Sequence, residues 1–156
     1  MLATHVAEKL RIHFEIEINA PPEKVWSKLA TLEGLKEWLG RNLVFEHKVG
    51  GRFQMEGELP GEGPYKFTGE ITSIIPEREL AFTWKSEVGE KAPWPASTLV
   101  VFRLFPTAAG TRVTLEHTGF QALGEALAKS GFDGHVQGWA MSQTLQELKQ
   151  VVEAAG

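Results

Sequence analysis

Five histidines, nineteen glutamates, a single aspartate and no cysteine set the chemistry open to this chain of 156 residues. The missing thiol removes disulfides, thiolate zinc sites and a cysteine nucleophile together. The histidines, at positions 5, 13, 47, 117 and 135, have neither helical nor hairpin ligand spacing, so no metal site and no cofactor are expected. Asp133 stands between Gly131 and Gly134, with no serine and histidine arranged around it as a hydrolytic triad requires. Gly57 to Gly63 is glycine-rich but lacks the lysine and the strand-to-helix context of a phosphate cradle, and reads as a hairpin loop.

His117 is the histidine that alternation turns inward, on the same face as Val113 and Leu115, near a strand end. Two roles are open to it. A neutral imidazole there can bond a ligand's polar head or move a proton near pH 7. It can equally be a core histidine satisfied by a backbone carbonyl or by a hydroxyl such as that of Ser73. No catalytic residue is assigned. Around it the aromatics carry the stronger signal: Phe14, Phe45, Phe53, Phe67, Phe82, Trp84 and Phe102 all fall on inward faces, with Met55 and Met141 among them. Side chains this large either fill the core by themselves or wall an apolar pocket of the kind that holds small molecules. Gly57 and Gly69 on the same face favour some empty volume. The candidate ligand-binding set is therefore Phe45, Phe53, Met55, Phe67, Phe82, Trp84, Phe102, Leu115, His117, Trp139 and Met141.

The elements that would position these residues follow from periodicity. Ile12, Phe14, Ile16 and Ile18 alternate with polar neighbours as a half-buried strand, and Asn19-Ala20-Pro21-Pro22 ends it and launches a helix. Val25, Trp26 and Leu29 keep helical spacing; Thr31 then reads as the N-cap of a second short helix ending at Gly40. From residue 42 onward the pattern is six strands. Glu87 to Pro95 reads as an exposed loop carrying Trp94. Gln121 to Ser130 reads as a short helix stopped by Gly131 to Gly134. Residues 134–153 read as one long helix, with Gly134, Gly138, Met141, Leu145, Leu148 and Val152 on its buried stripe. Gly138 is expected to let that helix approach another backbone closely.

The length fits one domain spanning residues 1–156. A net charge of −4 with interspersed signs argues against a nucleic-acid partner. No apolar run reaches the roughly 20 residues of a membrane span and no signal-peptide core opens the chain, so a cytoplasmic protein is expected. The glutamate bias, with only Asn19 and Asn42 as asparagines, is what a thermophile shows.

The order strand, two short helices, six strands, long helix is that of a seven-stranded curved antiparallel sheet gripping one helix, an α+β helix-grip fold. With it the chain resembles the START-like superfamily of polyketide cyclases and birch-pollen-allergen-like proteins. Within that superfamily it is most similar to the family named after the activator of the ninety-kilodalton heat-shock protein ATPase. Ala20-Pro21-Pro22-Glu23-Lys24-Val25-Trp26 matches the family's "A-P-x-x-x-V-W", Trp38-Leu39-Gly40 its "W-W-G", and Val49-Gly50-Gly51-Arg52-Phe53 its "x-G-G-x-[WF]". Pro76 to Trp84 matches "P-P-x-R-L-x-[FY]-x-W". Gly110 to Leu115, His117 to Phe120 and Gly138-Trp139 complete the series. The resemblance implies a hydrophobic cavity and ligand or lipid binding, and by the family's name a chaperone partner and a stress-response setting. The eukaryotic activator has a separate chaperone-engaging domain, whereas nine or ten residues precede the first strand here.

Three functions follow as expectations. The leading one is a non-enzymatic protein holding a small hydrophobic or aromatic ligand, lipid-like or polyketide-like, between sheet and C-terminal helix, as monomer or homodimer. The second is a protein-interaction module or co-chaperone, and the third a cyclase- or dehydratase-like enzyme, which would need an acid/base pair in the cavity.

Overall fold

Alternation makes the first strand: β1 (Ile12–Ile18) is buried at both ends and exposed at His13, Glu15 and Glu17. The fold is seen in a computed structural model that describes residues 10–141 and 143–155, residues 140 and 141 by their backbone alone. Pro21, extended at φ −68°, and Pro22 launch α1 (Pro22–Leu29), which buries Val25 and Leu29. Thr31 caps α2 (Leu32–Trp38), its hydroxyl accepting from the Gly34 amide at 3.0 Å, as the spacing predicts. Gly34 is obligatory there, because a Cβ would lie 2.5 Å from the Lys28 backbone where the two helices meet.

Six strands follow: β2 (Leu43–Phe45), β3 (Arg52–Leu59), β4 (Gly63–Ile75), β5 (Glu79–Val88), β6 (Thr98–Pro106) and β7 (Thr111–Thr118). With β1 they form one antiparallel sheet in the order β1-β7-β6-β5-β4-β3-β2. The register sets Val100, Phe102 and Leu104 opposite His117, Leu115 and Val113, which is the pairing the alternation predicts. A register shift between Ile71 and Ser73 breaks the β4–β5 ladder. Beyond that bulge Ser73 does not reach His117; its hydroxyl donates to Glu79 at 2.6 Å.

Gly57 and Gly69 do not leave empty volume. The Tyr65 ring occupies the place of a Gly57 side chain, and at Gly69 a Cβ would come within 1.7 Å of the Thr83 carbonyl. Close strand approach, not spare room, requires these glycines.

The C-terminal helical stretch is present but begins earlier and is divided. A 3₁₀ turn (Phe120–Leu123) precedes α3 (Glu125–Met141) and α4 (Thr144–Ala154), with Gln143 in the left-handed region at φ 51° ahead of α4. Gly131 to Gly134, expected to stop a helix, lies inside α3. Gly131 is held there by packing: a Cβ on it would stand 3.1 Å from both Leu123 and Trp94. Close packing of this kind overrides the weak helix propensity of glycine. Gly134 and Gly138 face open space, so Gly138 mediates no close backbone approach. The buried face of α3 is carried by Ala128 and Trp139, with Phe132, His135 and Val136 packed against the core. On α4, Leu145, Leu148 and Val152 are buried as expected. Among the described residues no helix is long and apolar enough to cross a membrane.

Candidate functional site

The inner face of the sheet carries a continuous aromatic layer. Strand β3 supplies Phe53, β4 supplies Phe67, and β5 supplies Phe82 and Trp84, whose rings stack at 4.1 Å (Phe53 on Phe82) and 4.5 Å (Phe67 on Trp84). Phe102 from β6 stands edge-on to Trp38 of α2 at 6.1 Å. Across from them α3 presents His135 and Trp139, and the 3₁₀ turn presents Phe120 against His117 at 4.5 Å. Trp94 is not on an exposed rim: it is buried, its ring 4.9 Å from His135.

Two indoles and two imidazoles lock together in this layer. Trp139 Nε1–H donates to His117 Nδ1 at 3.1 Å. The Thr98 hydroxyl donates to the Trp84 carbonyl at 3.0 Å, so its oxygen is left to accept from His117 Nε2–H at 2.6 Å. His117 is thereby assigned as the neutral Nε2–H tautomer. The second pair runs likewise: Trp84 Nε1–H donates to His135 Nε2 at 2.9 Å, and His135 Nδ1–H donates to the Gly131 carbonyl at 2.9 Å. A proton added to either ring would set an N–H against an indole N–H. Burial accordingly pushes the His117 pKa well below the ordinary histidine value, helped by the nearby His135, and burial also lowers that of His135. His117 is 0% exposed and both its nitrogens are engaged, so it offers no lone pair to a substrate.

Of the sequence-predicted set, Phe45, Phe53, Phe82, Trp84, Phe102, Leu115, His117 and Trp139 are buried, and Met55 and Phe67 pack against them partly exposed. They share one face of the sheet and largely fill the space against one another. The Met141 side chain lies outside the described residues, as does His5. The hydroxyl partner of His117 is that of Thr98 on the neighbouring strand β6, two strands from the expected Ser73 on β4. Sequence reasoning missed Thr98, Phe120, Trp94 and His135. The spacing of Gly131, His135 and Trp139, one helical turn apart, was the available signal for the last.

Near the junction of α3 and α4, the described residues leave part of the inner face less covered. A groove of about 610 Å³ opens there beside edge strand β1. Its floor is Phe14, Ile16, Leu115, Trp139 and Leu145; its rim is Glu15, Gln143, Thr144, Gln146 and Gln150. Of the predicted ligand residues, Leu115 and Trp139 reach it, and the Trp139–His117 hydrogen bond ties its floor to the aromatic layer. A second hollow of about 480 Å³ lies over the β3–β4 hairpin, between Glu56, Glu58, Tyr65 and Lys66. Among the described residues no three His, Asp or Glu side chains gather as metal ligands would. On the outer face Arg103 bridges Glu79 at 2.9 Å and Glu116 at 3.6 Å, and Arg11 pairs with Glu116.

A family model described as "Activator of Hsp90 ATPase homolog 1-like protein" matches residues 19–153. A search of curated proteins returned no match. Among solved structures, protein MLL2253 of Mesorhizobium loti superposes with a TM-score of 0.74 at 26% identity, covering 94% of this chain and 98% of that one. The solution structure of the Aha1 dimer from Colwellia psychrerythraea gives 0.63 at 24% identity, covering 92% and 96%. DynU16, from the dynemicin biosynthetic locus, gives 0.68 at 20% identity, with 93% of this chain covering 48% of that protein.

Proposed function

We propose that this chain, which belongs to the Activator of Hsp90 ATPase homolog 1-like family, is a non-enzymatic binding protein for a small hydrophobic or aromatic molecule held between the sheet and the C-terminal helices. The observation that carries this reading is the groove beside β1, whose volume of about 610 Å³ suits a small ligand. Its apolar floor supplies affinity through buried area, at about 25 cal/mol per Å². Binding comes from these side chains with no proton transfer by His117, because that ring is sealed behind Trp139 with both nitrogens committed. The cyclase-like reading loses its acid/base group on the same ground. A protein partner draws support from the family description and from the dimeric state of the Colwellia neighbour, but not from Trp94, which is buried.

The test uses N-phenyl-1-naphthylamine, a neutral apolar dye, with fluorescence and thermal shift as readouts. Bound dye should brighten, and the melting temperature should climb with dye concentration as ligand linkage requires. Gln146→Trp places an indole on the exposed rim, over the groove, and should weaken dye binding by about tenfold, the loss of roughly 1.4 kcal/mol of contact. Unchanged affinity in that variant would remove the groove as the site. Native mass spectrometry of freshly purified protein should show a co-purifying small mass.

A further inference from the structure

Resting on that reading of the groove, we propose that its ligand is an uncharged molecule whose polar groups are hydroxyls, carbonyls or amides, and that the site rejects carboxylates and phosphates. The charge of the lining decides this. Among the described residues that form the groove there is no lysine, arginine or histidine, and its one ionisable residue, Glu15, turns its side chain to the exposed face of β1, where the carboxylate meets His13 at 3.3 Å. Cations on neighbouring elements are already held elsewhere. Lys149 Nζ donates to the Glu17 carbonyl at 2.8 Å and to the Glu153 carboxylate at 2.6 Å, and Arg11 pairs with Glu116. An anionic head group entering here would give up water and find no counter-charge among the described lining residues.

The rim is polar without being charged. Gln143, Gln146 and Gln150 are three and four residues apart and therefore line one side of α4, above the apolar floor. Their side-chain amides are bonded to no described residue, and Gln143 does not spend its side chain on capping α4. Each amide offers both a donor and an acceptor, so the three together suit a neutral molecule carrying either. This separates the proposal from fatty-acid binding, where a carboxylate needs a cation at the mouth. A second copy of the chain seated on β1 is the competing occupant.

The experiment compares 1-decanol with decanoate, the same chain with and without charge, by isothermal titration calorimetry on the full-length protein. Measurements are made at pH 8, above the ordinary histidine range. Decanol is expected to bind at least about tenfold more tightly than decanoate, since the anion alone has to shed its hydration unpaired. Gln146→Lys should narrow that ratio by about threefold or more, from the decanoate side, as a partly exposed ion pair allows. Decanoate binding as well as decanol, with Gln146→Lys strengthening it further, would overturn the neutral-ligand inference while leaving the groove as a binding site. Neither probe binding, or a dimer that must dissociate before either binds, would overturn the groove reading and this inference with it.

Discussion

Lowering the pH from 8 to 5.5 should destabilise this protein through the buried His117 and the partly buried His135. In the unfolded chain both rings titrate near the ordinary value of about 6.5. In the folded chain both are held neutral, His117 well below that value, because burial and two indole donors disfavour the imidazolium. The unfolded state therefore binds more protons, and stability rises with pH across this window. The stabilisation is complete above the unfolded pKa and is lost as the pH falls toward the folded one. At pH 5.5, one unit below 6.5, an unfolded histidine gains RT ln 11, about 1.4 kcal/mol, that a neutral folded one does not. His117 should remove up to about that much and the less buried His135 a further part of it, with about 2.8 kcal/mol as the upper bound for the pair. Against a usual stability of 5–15 kcal/mol this is large, and for a domain of this size it lowers the melting temperature by about 5–10 °C. Glu79, Glu116 and Glu153 have lowered pKa values, so their stabilisation is lost only below about pH 4.5 and leaves this window clear. Urea unfolding at constant ionic strength, followed by tryptophan fluorescence at pH 8, 6.5 and 5.5, measures the slope. In His117→Gln the amide oxygen can accept from Trp139 and its nitrogen can donate to Thr98, so about half the pH dependence should vanish with the fold kept. A pH dependence that is the same, to within about 0.5 kcal/mol, in the parent protein and in His117→Gln would refute the network, because a buried neutral imidazole must contribute to the slope.

Two further predictions concern packing. Leu148, wholly buried on α4, should cost about 2–5 kcal/mol on replacement by Ala, measured by the same urea titration. A loss under about 0.5 kcal/mol, the scale of an exposed substitution, would show that α4 does not grip the sheet. Glycine substitutions should split by environment. Gly69→Ala drives a Cβ into the Thr83 carbonyl and should unfold or severely destabilise the protein, whereas Gly138→Ala meets open space and should stabilise α3 by up to about 1 kcal/mol. Thermal melts of the two variants shifting in the same direction would contradict the placement of both residues.

What was legible in the chain was whatever repeats with a period. Strand alternation carried Val100, Phe102 and Leu104 to the right partners on β7 and turned His117 inward, because a one-residue slip would expose the whole apolar set. Caps were equally readable, since Thr31 has the one side chain that can accept the Gly34 amide. Several misreadings involve glycine, whose meaning depends on what comes near it in space. Gly131 looked like a helix stop and is a packing point against Trp94 and Leu123; Gly138 looked like a packing point and faces outward. That phase error hid His135, one turn behind Trp139. It also hid the reason Trp94, in a loop rich in proline, is buried: a tryptophan ring closes the layer over His135.

The same correction changes what the aromatic residues do. As a cavity wall, Phe53, Phe82 and Trp84 would need a ligand to cover them; stacked on one another beneath α3, they cover themselves. What the layer supplies is then rigidity. Two indole N–H groups, two imidazoles and a threonine hydroxyl form bonds with only one consistent set of proton positions, which fixes Trp139 as the floor of the groove beside β1. A polar network buried in an aromatic layer would be an expensive way to fill a core if filling were its whole purpose. On the proposed reading of the groove, its position would serve as backing that holds the Trp139 ring at one angle.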